Sequence, residues 1–168
     1  IGTPPPPPHK KTPAIPCKSR DVGHPPFQPS FAVPKPRSGE GQRNIIIVDD
    51  DPAVAECLSK FLIRQGYEVA GFSDSVTALE RLKSSHYDLL ITDINMPGIT
   101  GVDLIRQVKA IRPALPAIAI SAAWDEEMAK ELFALDVRWY LPKPLDFGYF
   151  AFIVNIALAN PNLHGPPP

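Results

Sequence analysis

Short apolar runs in this chain are followed by acidic, hydroxyl or basic residues. Asp49-Asp50-Asp51 follows the run 45–48, Asp93 follows 88–92, Ser121 ends 117–121, and Lys143 follows 137–141. Two carboxylates held within a few ångströms repel, and the arrangement is tolerable at neutral pH only if one is protonated or a cation sits between them. A site of two or three carboxylates with no nitrogen or sulfur donor suits Mg²⁺, which keeps waters and takes phosphate oxygens as further ligands. With a lysine and a hydroxyl added, the pocket has the parts needed to receive a phosphoryl group. A carboxylate is the nucleophile and forms an acyl phosphate, Mg²⁺ and the ammonium neutralise the phosphoryl oxygens, and the hydroxyl donates a hydrogen bond to one of them. Lysine fits that place as a point charge. The combination points to a phosphoaspartate switch, provided the fold gathers these residues at one place.

The elements between them alternate. Residues 45–48 are a continuous β-branched run of the kind buried on both faces of a sheet. Asp51 can cap and Pro52 can open a helix whose apolar positions Val54, Leu58, Phe61 and Leu62 follow the 3.6 period until Gly66 ends it. The alternation repeats as strand 67–72, helix from Ser75 through Leu82, strand 88–92, helix 101–111 and strand 117–121. A helix capped by Asp125, strand 137–141 and helix 147–159 complete five βα units. Parallel strands need a crossover connection, and a helix of 10 to 15 residues provides it, so the fold class is doubly wound α/β with a five-stranded parallel sheet. In such sheets ligands bind outside the carboxyl ends of the strands, and all four reactive clusters fall on that edge.

Around this unit, 44–159, lie proline-rich flanks. Twelve of the 22 prolines fall in residues 1–43, with almost no apolar periodicity from which to build a core, so 1–43 and 160–168 are expected to be disordered tails. Within the first, residues 10–16 match a basic-x-x-Pro-x-x-Pro pattern, which arises easily in such sequence and is read as a spacer. The net charge of −1 conceals an asymmetry: residues 1–43 carry seven Lys/Arg against Asp21 and Glu40, so the remainder is acidic. An acidic domain is a poor direct binder of nucleic acid. No apolar stretch approaches the roughly 18–20 residues of a membrane span, and the N-terminus lacks the order of a signal peptide. Cys17 and Cys57 suggest neither a metal-ligand spacing nor a disulfide framework, and a cytoplasmic setting is expected.

The blocks Ile47-Val48-Asp49-Asp50-Asp51-Pro52, Thr92-Asp93-Ile94-Asn95-Met96-Pro97-Gly98, Ile120-Ser121-Ala122 and Tyr140-Leu141-Pro142-Lys143-Pro144 resemble, in order and spacing, the four motif blocks of response-regulator receivers, over roughly residues 44–159. The resemblance implies a flavodoxin-like (βα)5 fold with strand order 2-1-3-4-5 and a role in two-component signalling. It implies that Asp93 is phosphorylated, that Asp50 binds Mg²⁺ directly and Asp49 mainly through water, and that the Asn95 backbone carbonyl completes the metal site. It implies further that Lys143 binds the phosphoryl group, that Ser121 moves toward it, and that Tyr140 changes rotamer with Ser121, altering the face made by the fourth helix, fifth strand and fifth helix. The implied partners are a sensor histidine kinase or phosphotransfer protein and a downstream protein at that face, which a phosphorylation-linked homodimer would also use.

Taken singly, each residue has a plainer reading: Asp93 as a turn former, Ser121 as a cap, Lys143 as a solvated lysine, Tyr140 as a core aromatic. Joint placement on one edge outweighs those readings. Adjacent strand residues face opposite ways, so one of Trp139 and Tyr140 is expected to be partly exposed and available to a partner. Thr100 stands where the family commonly has Asp, and can cap the third helix equally well. Asp136-Val137 replaces the family's usual Gly-Ala, and Asp accepts a left-handed conformation less readily than Gly.

Only about 25 residues follow Lys143, so the expected output is a separate protein and the chain a single-domain regulator that catalyses only its own phosphorylation and dephosphorylation. Asn95 and Ala123, flanking the expected approach of water, offer little bulk. Two rivals stand beside this reading. A Mg²⁺-dependent phosphatase with Asp93 as turnover nucleophile lacks a second acid two residues on, where Asn95 stands. A docking module that has stopped signalling would not need the complete Asp/Asp/Ser/Lys set.

Overall fold

The computed structural model describes residues 42–159, so the expectations for the proline-rich flanks, including the pattern at 10–16, lie outside the described residues. Five strands and five helices alternate: β1 Asn44–Val48, α1 Pro52–Arg64, β2 Glu68–Phe72, α2 Ser75–Ser84, β3 Leu89–Asp93, α3 Gly101–Ile111, β4 Ala117–Ser121, α4 Glu126–Ala134, β5 Trp139–Pro142 and α5 Phe147–Ala159. All strands pair in parallel in the order β2-β1-β3-β4-β5, as expected from the resemblance.

Every residue of β3 and β4 is buried, because helices cover both faces. One face carries Ile46, Val48, Leu90, Ala117 and Ala119 against α2, α3 and α4. The other carries Ile45, Ile47, Leu89, Ile91, Ile118 and Ile120 against α1 and α5. Alternating residues of one strand thus feed two separate cores, as the period of two requires.

The helix starts follow from short side chains that satisfy otherwise orphaned backbone N–H groups. Asp51 accepts from the Ala53 N–H at 2.9 Å with Pro52 at the first helical position, Thr100 from Asp103 N–H at 3.1 Å, and Asp125 from Met128 N–H at 2.7 Å, all at the expected caps. Asp74 and Asp146 do the same for α2 and α5.

Two helices end in the same doubly bonded closure, in which the residue in the left-handed region and its successor donate back into the last turn. At α1 the left-handed residue is Gly66 (φ 97°), with Gly66 N–H on the Ile63 carbonyl and Tyr67 N–H on that of Leu62. At α4 it is Asp136 (φ 57°), with Asp136 N–H on Phe133 and Val137 N–H on Leu132. Asp136 therefore takes up the same closure as Gly66, at the expense of a conformation that a side-chain-bearing residue disfavours.

Among the described residues no helix is long and apolar enough to cross a membrane. Cys57, whose spacing from Cys17 suggested no disulfide, is disulfide-bonded, and its partner lies outside the described residues. The cysteines thus give no support to a reducing compartment.

Candidate functional site

Strand register assembles the site. Val48 is the partner of Thr92 across β1 and β3, so the residues that follow them, Asp49 and Asp93, stand side by side at the carboxyl edge. Asp93 pairs with Ile120 and Ser121 with Pro142, which brings Ser121 and Lys143 to the same edge. The Lys143 N–H donates to the Ser121 carbonyl at 2.9 Å, fixing the backbone from which the lysine side chain reaches inward.

The Lys143 ammonium donates to Asp49 Oδ2 and to Asp93 Oδ2, each at 2.8 Å. Both carboxylates are nearly enclosed, at 1% and 6% exposure, so these are charge-assisted bonds in a poorly solvated place. The remaining oxygens are partly used: Asp49 Oδ1 accepts from Asp51 N–H at 3.0 Å and Asp93 Oδ1 from Asn95 N–H at 3.3 Å. Burial pushes the Asp49 carboxyl above its ordinary range, against the pull of Lys143. For Lys143 burial works against the charged form, but its hydrogen bonds to Asp49 and Asp93 win and its pKa is raised.

Carboxylate oxygens of Asp49, Asp50 and Asp93 lie within 4.8 Å of one another. Three carboxylates facing one ammonium leave two negative charges, and the donors are all oxygens. That is the chemistry of a Mg²⁺ site, and exposed Asp50 leaves the ion access to water ligands. The residues present fit the ion.

Ser121 is fully buried, and its hydroxyl faces the loop that follows β4 and the loop that follows β3. It donates to the Ala123 carbonyl at 2.6 Å and accepts from the Asn95 side-chain amide at 2.8 Å and the Ala123 N–H at 3.2 Å. Tyr140 stands apart from the carboxylates, at 50% exposure, its ring 4.8 Å from that of Trp124. Of the adjacent aromatics, Tyr140 is the exposed one, while Trp139 packs on the α1–α5 side.

Three positioning features escaped the sequence reading. Asn95 was assigned only a backbone carbonyl, yet its side chain joins the post-β3 loop to Ser121. Ser75, buried at the start of α2, donates to the Ile99 carbonyl at 2.8 Å and ties down the same loop, with no signal in the sequence to mark it. Gly101 begins α3 so close to β3 that a Cβ would come within 2.0 Å of the Asp93 carbonyl oxygen. A glycine directly after a capping Thr, where Ala is the better helix former, was the available clue.

The family model described as the response regulator receiver domain matches residues 45–153. Among curated proteins, the chain is similar to the transcriptional regulatory protein ZraR of Klebsiella oxytoca, 32% identical over 130 residues, covering 77% of this chain and 29% of that protein. It is also similar to the DNA-binding transcriptional regulator NtrC of Escherichia coli (strain K12), 34% identical over 120 residues, covering 71% and 26%. The chain thus spans little more than a quarter of the length of these relatives. Among solved structures, a response regulator receiver protein from Pseudomonas putida is 33% identical with a TM-score of 0.65, covering 68% of this chain and 96% of that one. The response regulator protein TrrA from Thermotoga maritima in complex with Mg(2+)-BeF is 28% identical with a TM-score of 0.62, covering 67% and 96%.

Proposed function

This chain belongs to the response-regulator receiver family of two-component signalling, and from that premise we propose that Asp93 is its phosphoryl acceptor, with residues 44–159 as the working unit. The observation that carries the reading is the Lys143 ammonium at 2.8 Å from both Asp49 and Asp93, a cation placed where phosphoryl charge would develop. An Asp93 carboxylate oxygen attacks the phosphorus of a phosphohistidine on a sensor kinase or phosphotransfer protein. An O–P bond forms, the N–P bond breaks, and the imidazole keeps the electron pair and takes up a proton. Lys143 moves its hydrogen bonds from the free carboxylate to the phosphoryl oxygens, and the Ser121 hydroxyl donates to another of them. Asp50, Asp93 and the Asn95 backbone carbonyl, with Asp49 mainly through water, would hold Mg²⁺, and the ion would supply the positive charge that lets an anionic donor approach an acidic pocket. Attack of water on the phosphorus later restores the carboxylate, past the exposed Asn95 and Ala123.

The signal leaves through the face of α4, β5 and α5, where Phe133, Tyr140, Tyr149 and Phe152 are exposed and can meet a downstream protein or a second copy of the chain. The turnover-phosphatase reading has no support at the residue it needs, since Asn95 is an amide engaged with Ser121. The test is incubation with acetyl phosphate and Mg²⁺, followed by a phosphate-affinity gel. Stoichiometric, base-labile labelling that needs Mg²⁺ and is lost in Asp93→Asn is the expected result. Equal labelling of Asp93→Asn, or none of the unsubstituted protein, overturns the reading.

A further inference from the structure

We propose that a cavity at the amino edge of the sheet, away from Asp93, binds a small organic monocarboxylate with an apolar body through Arg112. The cavity, of about 520 Å³, is walled by residues that lead into three strands: Arg43 before β1, Tyr87 and Asp88 before β3, and Leu115 before β4, with Ala157 of α5 beside them. Asp93 and Ser121 end the strands β3 and β4 that begin here, so this cavity and the carboxylate cluster lie at opposite ends of the same two strands. Small-molecule sites are mostly apolar recesses of roughly 300–1,000 Å³ with a few polar groups, and this one has both parts.

The apolar part comes from Tyr87 and Leu115, which belong to the core under α2, α3 and α4, and from Ala157 of the other core, so the cavity opens at the seam between the two. Backbone bonds hold its walls: Asp88 N–H donates to the Asn44 carbonyl at 2.8 Å, and Leu115 N–H to the Arg112 carbonyl at 3.1 Å. A recess formed in advance spares a ligand the cost of ordering it. The polar part carries an unanswered charge. Arg112 is half-buried where α3 ends, and its Nη1 is buried with no hydrogen-bond partner among the described residues. A guanidinium stays ionised, and a buried ionised donor without an acceptor costs more than a neutral one. The carboxylate in the wall, Asp88, is already taken: Oδ1 accepts from Arg43 at 3.2 Å and Oδ2 from the Asn44 N–H at 2.8 Å. Two guanidinium groups against that carboxylate leave one positive charge, before the exposed His86 is counted. One charge calls for a monoanion. A carboxylate offers a planar guanidinium two acceptors, and its apolar body covers Tyr87 and Leu115.

The probe is naphthalene-2-carboxylate, titrated calorimetrically into the full chain without Mg²⁺. Saturable one-to-one binding is expected, with nuclear Overhauser contacts from the naphthyl protons to the Tyr87 ring and the Leu115 methyl groups. Naphthalene-2-carboxamide, the same body without the charge, should bind about tenfold more weakly, and acetate, the charge without the body, should not saturate. Arg112→Gln should lower the affinity for the carboxylate by about tenfold as well. Arg81→Gln, which removes an equal charge from the exposed last turn of α2, should leave it unchanged. Thermal unfolding checks that each variant is folded, and if Arg112→Gln is not, the carboxamide comparison decides alone. No saturable binding overturns the proposal, which is also the result if a flanking segment of the chain fills the cavity. Equal binding of carboxylate and carboxamide, undiminished binding in folded Arg112→Gln, or Overhauser contacts to Tyr149 and Phe152 in place of Tyr87 overturns it too.

Discussion

On the side of the sheet covered by α1 and α5, packing is sealed: Phe61 lies 4.9 Å from Phe147 and 6.0 Å from Phe150, and the buried Tyr67 hydroxyl donates to Asn155 at 2.9 Å, tying the β2 approach to α5. On the side covered by α2, α3 and α4, polar groups reach into the packing. Ser75 and Ser121 are buried, the Trp124 indole N–H has no partner among the described residues, and Tyr140 lies half-exposed at the rim. On the first side the buried Tyr67 hydroxyl already has its partner. Under the proposed function, the second holds hydrogen bonds, those of Ser121 among them, that would be exchanged on phosphorylation of Asp93, which is the property a signalling surface needs.

The largest expected effect tests how tightly the second side is built against the site. Gly101→Ala places a methyl group on the Asp93 carbonyl and on the Ile94 backbone, neither of which can rotate away. Denaturant unfolding should show a loss of about 3 kcal/mol, with weaker acetyl-phosphate labelling because β3 is displaced.

On the sealed side, Tyr67→Phe should cost about 1.5 kcal/mol by leaving the Asn155 amide short of a partner, with phosphoryl labelling unchanged. Burial raises the Tyr67 pKa above its ordinary 10.0. The folded state thus favours the protonated phenol: its contribution is fully present below the unfolded pKa and is lost as pH rises through the folded one. The unsubstituted protein should therefore show an alkaline loss of stability above about pH 10 that Tyr67→Phe lacks, by denaturant titration across that range. Equal alkaline limbs would remove Tyr67 from the argument.

Thr100→Ala removes the α3 cap and should lower stability by about 1 kcal/mol in the same unfolding assay. The smallest effect is a gain. Asp136→Gly relieves a left-handed residue at roughly 1–2 kcal/mol while adding glycine's unfolded-state freedom of roughly 0.5–1 kcal/mol, and a net stabilisation of about 0.5 kcal/mol should appear as a slightly higher Tm. No gain there would mean that the paired Arg138, whose guanidinium bonds Asp136 and lies 4.1 Å from the Phe133 ring centroid, contributes as much as the backbone strain costs.

The element order, the parallel sheet and the caps Asp51, Thr100 and Asp125 were legible in the chain because each rests on local periodicity or a short-range hydrogen bond. The carboxylates, serine and lysine were legible as a set because each ends a strand, and parallel strands place their ends on one edge. What sequence spacing alone could not announce is how they are joined: that Lys143 bridges Asp49 and Asp93, that the Asn95 side chain reaches Ser121, and that the Ser121 hydroxyl donates to the Ala123 carbonyl. Trp124 was silent because it packs on Tyr140, 16 positions on and across two elements, and close packing between elements distant in sequence leaves no periodic trace; Gly101 left only the clue of a glycine after a cap, since what it packs on is the backbone at the end of β3. Local chemistry determined which residues stand at the edge; tertiary packing decided which hydrogen bonds hold them there, because partners from different strand ends meet only once the sheet is formed.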